Sequence, residues 1–238
     1  MARSLLFFAV QAPLAILATA LLTLVACFVG VLEPGAVRPL SVFWSRLLLR
    51  LLRVRVASEG LAQAPAGPAV YAANHSSALD ILVVLARLPA DVKIIHKSSL
   101  SLVPFFGWSV ALGGHIPIDR SNPFRARRSL DQAAARIRDG TSVLVFPEGT
   151  RSRDGAVGHF KRGSFGLAID AGVPVVPLSL VGVKKLVPRG LFSLQPGSVR
   201  LRVHAPIATA GRSPDSAQAL AEEVRQVVAA GCGEGERV

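Results

Sequence analysis

The chain opens with a long apolar run and then settles into short apolar stretches separated by polar turns. From Leu5 to Leu32 no charged residue occurs in 28 positions, more than the roughly 20 apolar residues needed to cross a bilayer core. Beyond it, residues 53–58, 68–74, 91–97, 115–120, 141–149, 173–182 and 198–207 read as strands, because each is short, rich in Val, Ile and Leu, and bounded by turn-forming residues. Residues 78–88, 123–139, about 163–171 and 215–230 carry apolar side chains at helical spacing, and Ser121-Asn122-Pro123 supplies a cap and first-turn signal. Buried strands alternating with helices predict an α/β fold, with a mostly parallel or mixed central sheet flanked by helices. An N-terminal membrane-associated helix pair precedes it.

Three readings of the apolar run compete. A cleaved signal peptide has an apolar stretch of only about 7–15 residues, and here Phe28, Val29, Val31 and Leu32 extend the run past the processing-like LVAC at Leu24–Cys27. A spanning helix would have Arg3 on one side and Arg38, Arg46, Arg50, Arg53 and Arg55 on the other, a bias that leaves the remaining chain in the cytoplasm. A helix entering one leaflet, bent at Pro13, is the third. Length favours an anchor over a signal. In residues 42–53, VFWSRLLLRLLR, the arginines fall on one narrow stripe and Trp44, Leu47, Leu48, Leu51 and Leu52 on the other side. Such a helix can lie in the membrane interface, or pack on the domain core with its arginines in water. The expected organisation is residues 1–55 as anchor and amphipathic helix, 56–230 as the α/β domain, and 231–238 as a disordered tail.

Composition changes the picture in one respect. The net charge of +12 and isoelectric point near 11.3 call for an anionic partner, substrate or membrane. Nucleic acid is the rival, but aromatics are only 6%, with one Tyr, and no aromatic RNA-binding motif or zinc-finger spacing occurs. We expect no nucleic-acid partner. Cys27 and Cys232 lack the setting of a nucleophile, no G-x-S-x-G elbow or P-loop is present, and no metal-ligand spacing appears, so neither a covalent intermediate on the protein nor a metal is expected.

Polar groups gather directly after three of the predicted strands: His75 after the second, Asp119 and Arg120 at the end of the fourth, and Glu148, Gly149, Thr150 and Arg151 after the fifth. In open α/β sheets such positions form a shared rim. The heptapeptide NHSSALD (Asn74–Asp80) is the first of them. Its His75 and Asp80 are five apart, too far around a helix to meet, and can touch only across a turn. Locally, Ser77 capping the following helix, with Asp80 at its positive end, accounts for the same residues equally well.

NHSSALD resembles the N-H-x4-D block of the glycerophospholipid acyltransferases, the family of the 1-acyl-sn-glycerol-3-phosphate acyltransferase type. GHIPIDR (Gly114–Arg120), FPEGTRS (Phe146–Ser152) and VPVVPLS (Val173–Ser179) resemble its second, third and fourth blocks, in the same order, over about residues 70–182. Pro117 departs from the aromatic that many members carry. The resemblance implies transfer of a fatty acyl group from acyl-CoA or acyl-carrier protein to the sn-2 hydroxyl of lysophosphatidic acid, with no cofactor. It implies His75 as general base and Asp80 as its orienting carboxylate. Arg120 and Arg151, with Lys97 as a third, would recognise phosphate; Glu148 would orient an arginine or bond an acceptor hydroxyl, and Gly149 and Thr150 would shape the loop. Glycerol-3-phosphate, a lyso-aminolipid, or a catalytically silent role in binding anionic membrane lipid are the alternatives. The expected location is a bacterial inner membrane with the active site facing the cytoplasm.

Overall fold

All seven apolar runs form strands, and the register of their ends places the polar loops. The computed structural model describes residues 7–103, 106–119, 122–188 and 194–234. The strands are β1 (Val54–Glu59), β2 (Val70–Ala73), β3 (Val92–Lys97), β4 (Ile116–Ile118), β5 (Ser142–Val145), β6 (Val175–Val181) and β7 (Gly197–Val203). They make one sheet in the order β1-β7-β6-β2-β5-β3-β4. Every pairing is parallel except β6 with β7, so β1 and β7 run against the other five strands. The carboxyl ends of β2, β5, β3 and β4 therefore share one edge of the sheet. Pro117 is exposed on β4, an edge strand, where a missing N–H costs no ladder bond.

The central strands β2, β5 and β6 read as continuous apolar runs because both of their faces are covered. On β2, Tyr71 and Ala73 face one core cluster while Val70 and Ala72 face the other. The first cluster is closed by α2 (Val37–Leu51) and α3 (Leu79–Arg87), with α1 (Ala12–Leu32) packed outside them. The second is closed by α5 (Pro123–Arg138), α6 (Gly163–Ala171) and α8 (Ala217–Glu234). Two shorter helices, α4 (Phe106–Leu112) and α7 (Val183–Leu186), follow β3 and β6. The cap before α5 forms as its sequence predicts: the Asn122 side chain accepts from the Phe124 N–H at 2.8 Å, and Pro123 opens the helix. At the other end of the chain α8 continues through Glu234, past the expected boundary at residue 230.

The N-terminal helices form a hairpin. Trp44 donates its indole N–H to Thr19 Oγ1 at 3.2 Å, and Gln11 donates to the Leu51 carbonyl at 3.2 Å, pairing the start of α1 with the end of α2. The segment Ala9–Gly30 is long and apolar enough to cross a membrane, and Ile16, Leu17, Leu21, Leu24 and Phe28 are exposed along it. Helix α2 behaves differently from an interfacial helix. Arg46 and Arg50 are exposed on one side and Arg53 is exposed just past the helix end, but Leu48, Leu49 and Leu52 are buried in the first core cluster rather than open to lipid. Arg46 Nε ties the helix to the Ala86 carbonyl of α3 at 3.1 Å, and Arg38 bonds the Pro89 carbonyl. Of the two readings of residues 42–53, packing on the core is the one realised.

Candidate active site

His75 leaves the end of β2 and Asp80 sits in the first turn of α3. The intervening turn brings His75 Nδ1 to 2.7 Å from Asp80 Oδ2. The same oxygen accepts the backbone N–H groups of Ser76 at 2.7 Å and Ser77 at 2.8 Å. Asp80 is fully buried, and the positive end of α3 adds to what stabilises its charge. A carboxylate that already accepts two N–H bonds leaves Nδ1 of His75 as the donor, so the unprotonated nitrogen is Nε2. The His75 side chain is 16% exposed, enough for an incoming group to reach the ring. The capping interaction coexists with this pair: Ser77 Oγ accepts from the Leu79 N–H at 3.3 Å.

The strand order explains how the imidazole is held. β5 lies directly beside β2, so the loop after it reaches the His75 backbone. Glu148 Oε1 accepts the His75 N–H at 2.9 Å, the Ser152 N–H donates to the His75 carbonyl at 2.7 Å, and the Phe146 ring stacks on the imidazole with centroids 4.1 Å apart. Gly149, at φ +75°, turns the chain in the left-handed conformation this loop needs. Glu148 is buried, which pushes its carboxyl pKa up; the N–H groups of His75 and Gly158 act in the opposite direction. On the other side of β2, the Asn74 amide clasps β6, donating to the Leu180 carbonyl at 3.0 Å and accepting the Leu180 N–H at 2.8 Å.

The sequence-predicted residues thus divide. His75, Asp80, Glu148 and Gly149 converge on two adjacent strand ends, with Thr150 and Arg151 exposed in the same loop. Lys97 is the exposed last residue of β3, the next strand along the rim. Arg120 lies outside the described residues. The Glu148 carboxylate meets the backbone N–H groups of His75 and Gly158, and among the described residues it makes no ion pair with Arg151. Asn74, Phe146 and Ser152 are the residues that sequence reasoning passed over, although all three lie within the blocks quoted above. Among the described residues no cluster of His, Cys, Asp or Glu could hold a metal ion.

The model of the family described as Acyltransferase matches residues 55–181, which run from β1 through β6 and include the whole of this rim. The chain belongs to the acyltransferase family. Within it, the chain is similar to a chloroplastic 1-acyl-sn-glycerol-3-phosphate acyltransferase of Brassica napus, 38% identical over 72% of this chain and 49% of that protein. A 1-acyl-sn-glycerol-3-phosphate acyltransferase of Chlamydomonas reinhardtii is 42% identical over 69% of this chain and 48% of its own length. These matches span about half the length of the curated relatives. The fold is that of the crystal structure of the 1-acyl-sn-glycerophosphate acyltransferase from Thermotoga maritima, with a TM-score of 0.74, 28% identity, and coverage of 95% of this chain and 98% of that one. Family relatives include a chloroplastic protein, so the comparisons lend no support to the expected bacterial inner membrane.

Proposed function

We propose that this acyltransferase-family chain transfers a fatty acyl group from acyl-CoA or an acyl-carrier-protein thioester to the sn-2 hydroxyl of lysophosphatidic acid, giving phosphatidic acid. The observation that carries the reading is the 2.7 Å contact between His75 Nδ1 and the buried Asp80 carboxylate, which leaves Nε2 basic on an exposed rim. Relatives named for this reaction support the acceptor.

In this mechanism Nε2 of His75 takes the proton of the acceptor hydroxyl as its oxygen attacks the thioester carbonyl. The C–O bond forms, the tetrahedral centre collapses, and the C–S bond breaks. The departing sulfur takes the proton back from the imidazolium, so ester and thiol leave and the histidine is regenerated. Asp80 fixes the tautomer and stabilises the imidazolium, as the carboxylate does in a Ser-His-Asp triad, with the substrate alcohol in place of the serine. Glu148, Ser152 and Phe146 hold the ring in place; the proposed role of Arg151, Lys97 and Arg120 is to bind the acceptor phosphate. No cofactor takes part. The apolar helix α1 holds the protein at a membrane, with anionic lipids around it and the rim on the cytoplasmic side, in keeping with the arginines that follow the apolar run.

Purified full-length protein is assayed for thiol release from acyl-CoA and acyl-carrier protein against lysophosphatidic acid, glycerol-3-phosphate and a lyso-aminolipid. Turnover with lysophosphatidic acid, abolished in His75→Ala while vesicle binding persists, is the expected result. Preference for another acceptor would replace the substrate assignment, and a fully active His75→Ala would overturn the base.

A further inference from the structure

A groove of about 960 Å³ runs between α2, the end of α3, and the starts of β1 and β7. Five arginines line it: Arg46, Arg50, Arg53, Arg55 and Arg87. All five are exposed, and none makes an ion pair with a carboxylate among the described residues. Arg46 and Arg87 donate to the Ala86 and Val56 carbonyls, which fixes their stems without neutralising them. Arg53 occupies a left-handed backbone conformation at φ +56°, one that L side chains rarely adopt. Five like charges held around one concavity repel each other unless an anion joins them.

The place of the groove in the fold selects the anion. β1 and β7 run against β6 and β2, so their amino ends stand on the same edge of the sheet as His75. Arg55 pairs with Ser198, whereas the Leu180 row next to His75 continues through Leu201 to Ser58. The offset is three strand spacings and about three residue rises, roughly 17 Å. An acyl thioester carried on a phosphopantetheine arm has about thirteen bonds from sulfur to phosphorus, and at about 1.25 Å of advance per bond it spans roughly 16 Å. An extended arm on a thioester at His75 is thus long enough to reach the arginines.

A membrane head group is the competing occupant. Trp44, whose indole bonds Thr19, marks the side of α2 that faces the apolar helix α1, and Arg46 lies about 160° from it around the helix axis. The arginines are turned away from the membrane-seeking surface. We infer that this groove anchors the phosphate-bearing end of the thioester donor, in a position separate from the acceptor phosphate near Arg151 and Lys97. The inference rests on the thioester-donor reading given above.

The test is Arg50→Glu with Arg55→Glu, with the milder Arg50→Gln and Arg55→Gln pair as a second variant should the first unfold. The donor KM for acyl-CoA should rise tenfold or more, with kcat and acceptor KM within twofold of wild type. An acyl-N-acetylcysteamine donor, which lacks the phosphate, should erase the difference between variant and wild type. Acyl-CoA and acyl-carrier protein are compared directly: equal losses support the arm phosphate they share, and a loss with one alone supports donor anchoring through that source. An unchanged donor KM overturns the inference, and if vesicle binding falls instead, the groove is a head-group surface. Equilibrium binding of free CoA is measured as well. Wild type that binds CoA through these arginines but turns over no donor would retain the groove and remove the proposed function; active variants with wild-type donor KM would do the reverse.

Discussion

At the residue scale, His75 and Asp80 were legible as a pair only through the resemblance, because a five-residue separation is equally well explained by helix capping. The structure shows that both uses are compatible: one carboxylate oxygen serves the imidazole and two backbone N–H groups together. His75→Ala should lower acyl transfer by about 10²–10⁴, the usual worth of a general base, as measured by thiol release. Asn74 carries a structural duty that its place in the motif did not reveal. Asn74→Ala strands both polar groups of buried Leu180 and should cost roughly 2–4 kcal/mol in urea unfolding. His115 stands at the opposite end of the sheet, where Nδ1 accepts the Ile94 N–H at 3.0 Å. Burial, then the nearby charges of Lys93 and His96, lower its pKa from 6.5 to about 4. Between those values the unfolded chain binds the extra proton, so the stability contributed by neutral His115 is complete above pH 6.5, falls as pH drops toward 4, and is level below. The loss amounts to roughly 2–3 kcal/mol. The difference in urea stability between wild type and His115→Asn, followed from pH 7 to pH 4, should narrow or reverse by that amount.

At the element scale, the seven strands and the helices 78–88, 123–139, 163–171 and 215–230 were readable because burial on two faces, helical spacing and caps are local signals. Helix α2 shows where such signals stop. An apolar stripe beside an arginine stripe describes a membrane-surface helix and a core helix alike, and only the contacts of Leu48, Leu49 and Leu52 separate them. Leu49→Ala should therefore destabilise the folded domain by about 2–5 kcal/mol in denaturant, as a core truncation does. A change in vesicle binding without loss of stability would return α2 to the membrane surface. Helix α4 was not anticipated from its sequence. Joining the parallel strands β3 and β4 requires a crossover, and α4 provides it, but its seven residues are too few for a clear period.

At the scale of the whole molecule, a mixed sheet covered on both faces carries an apolar helix on its outer side, with exposed Ile16, Leu17, Leu21 and Phe28. If these side chains enter lipid, attachment is dominated by apolar burial, and high salt should leave the protein with the membrane fraction after sedimentation. Release by salt alone would assign the attachment to the +12 charge instead. The sequence by itself determined which segments are strands and helices, that the sheet is buried on both sides, and which loops carry polar chemistry, because periodicity, turn residues and motifs act over a few positions. Tertiary structure alone decided the rest. Placing β5 beside β2 lets Glu148 grip the backbone of His75 across 73 residues, and packing α2 and the end of α3 against the starts of β1 and β7 gathers five arginines around one groove. Strand order is set by the packing of the whole core, and no local pattern encodes it.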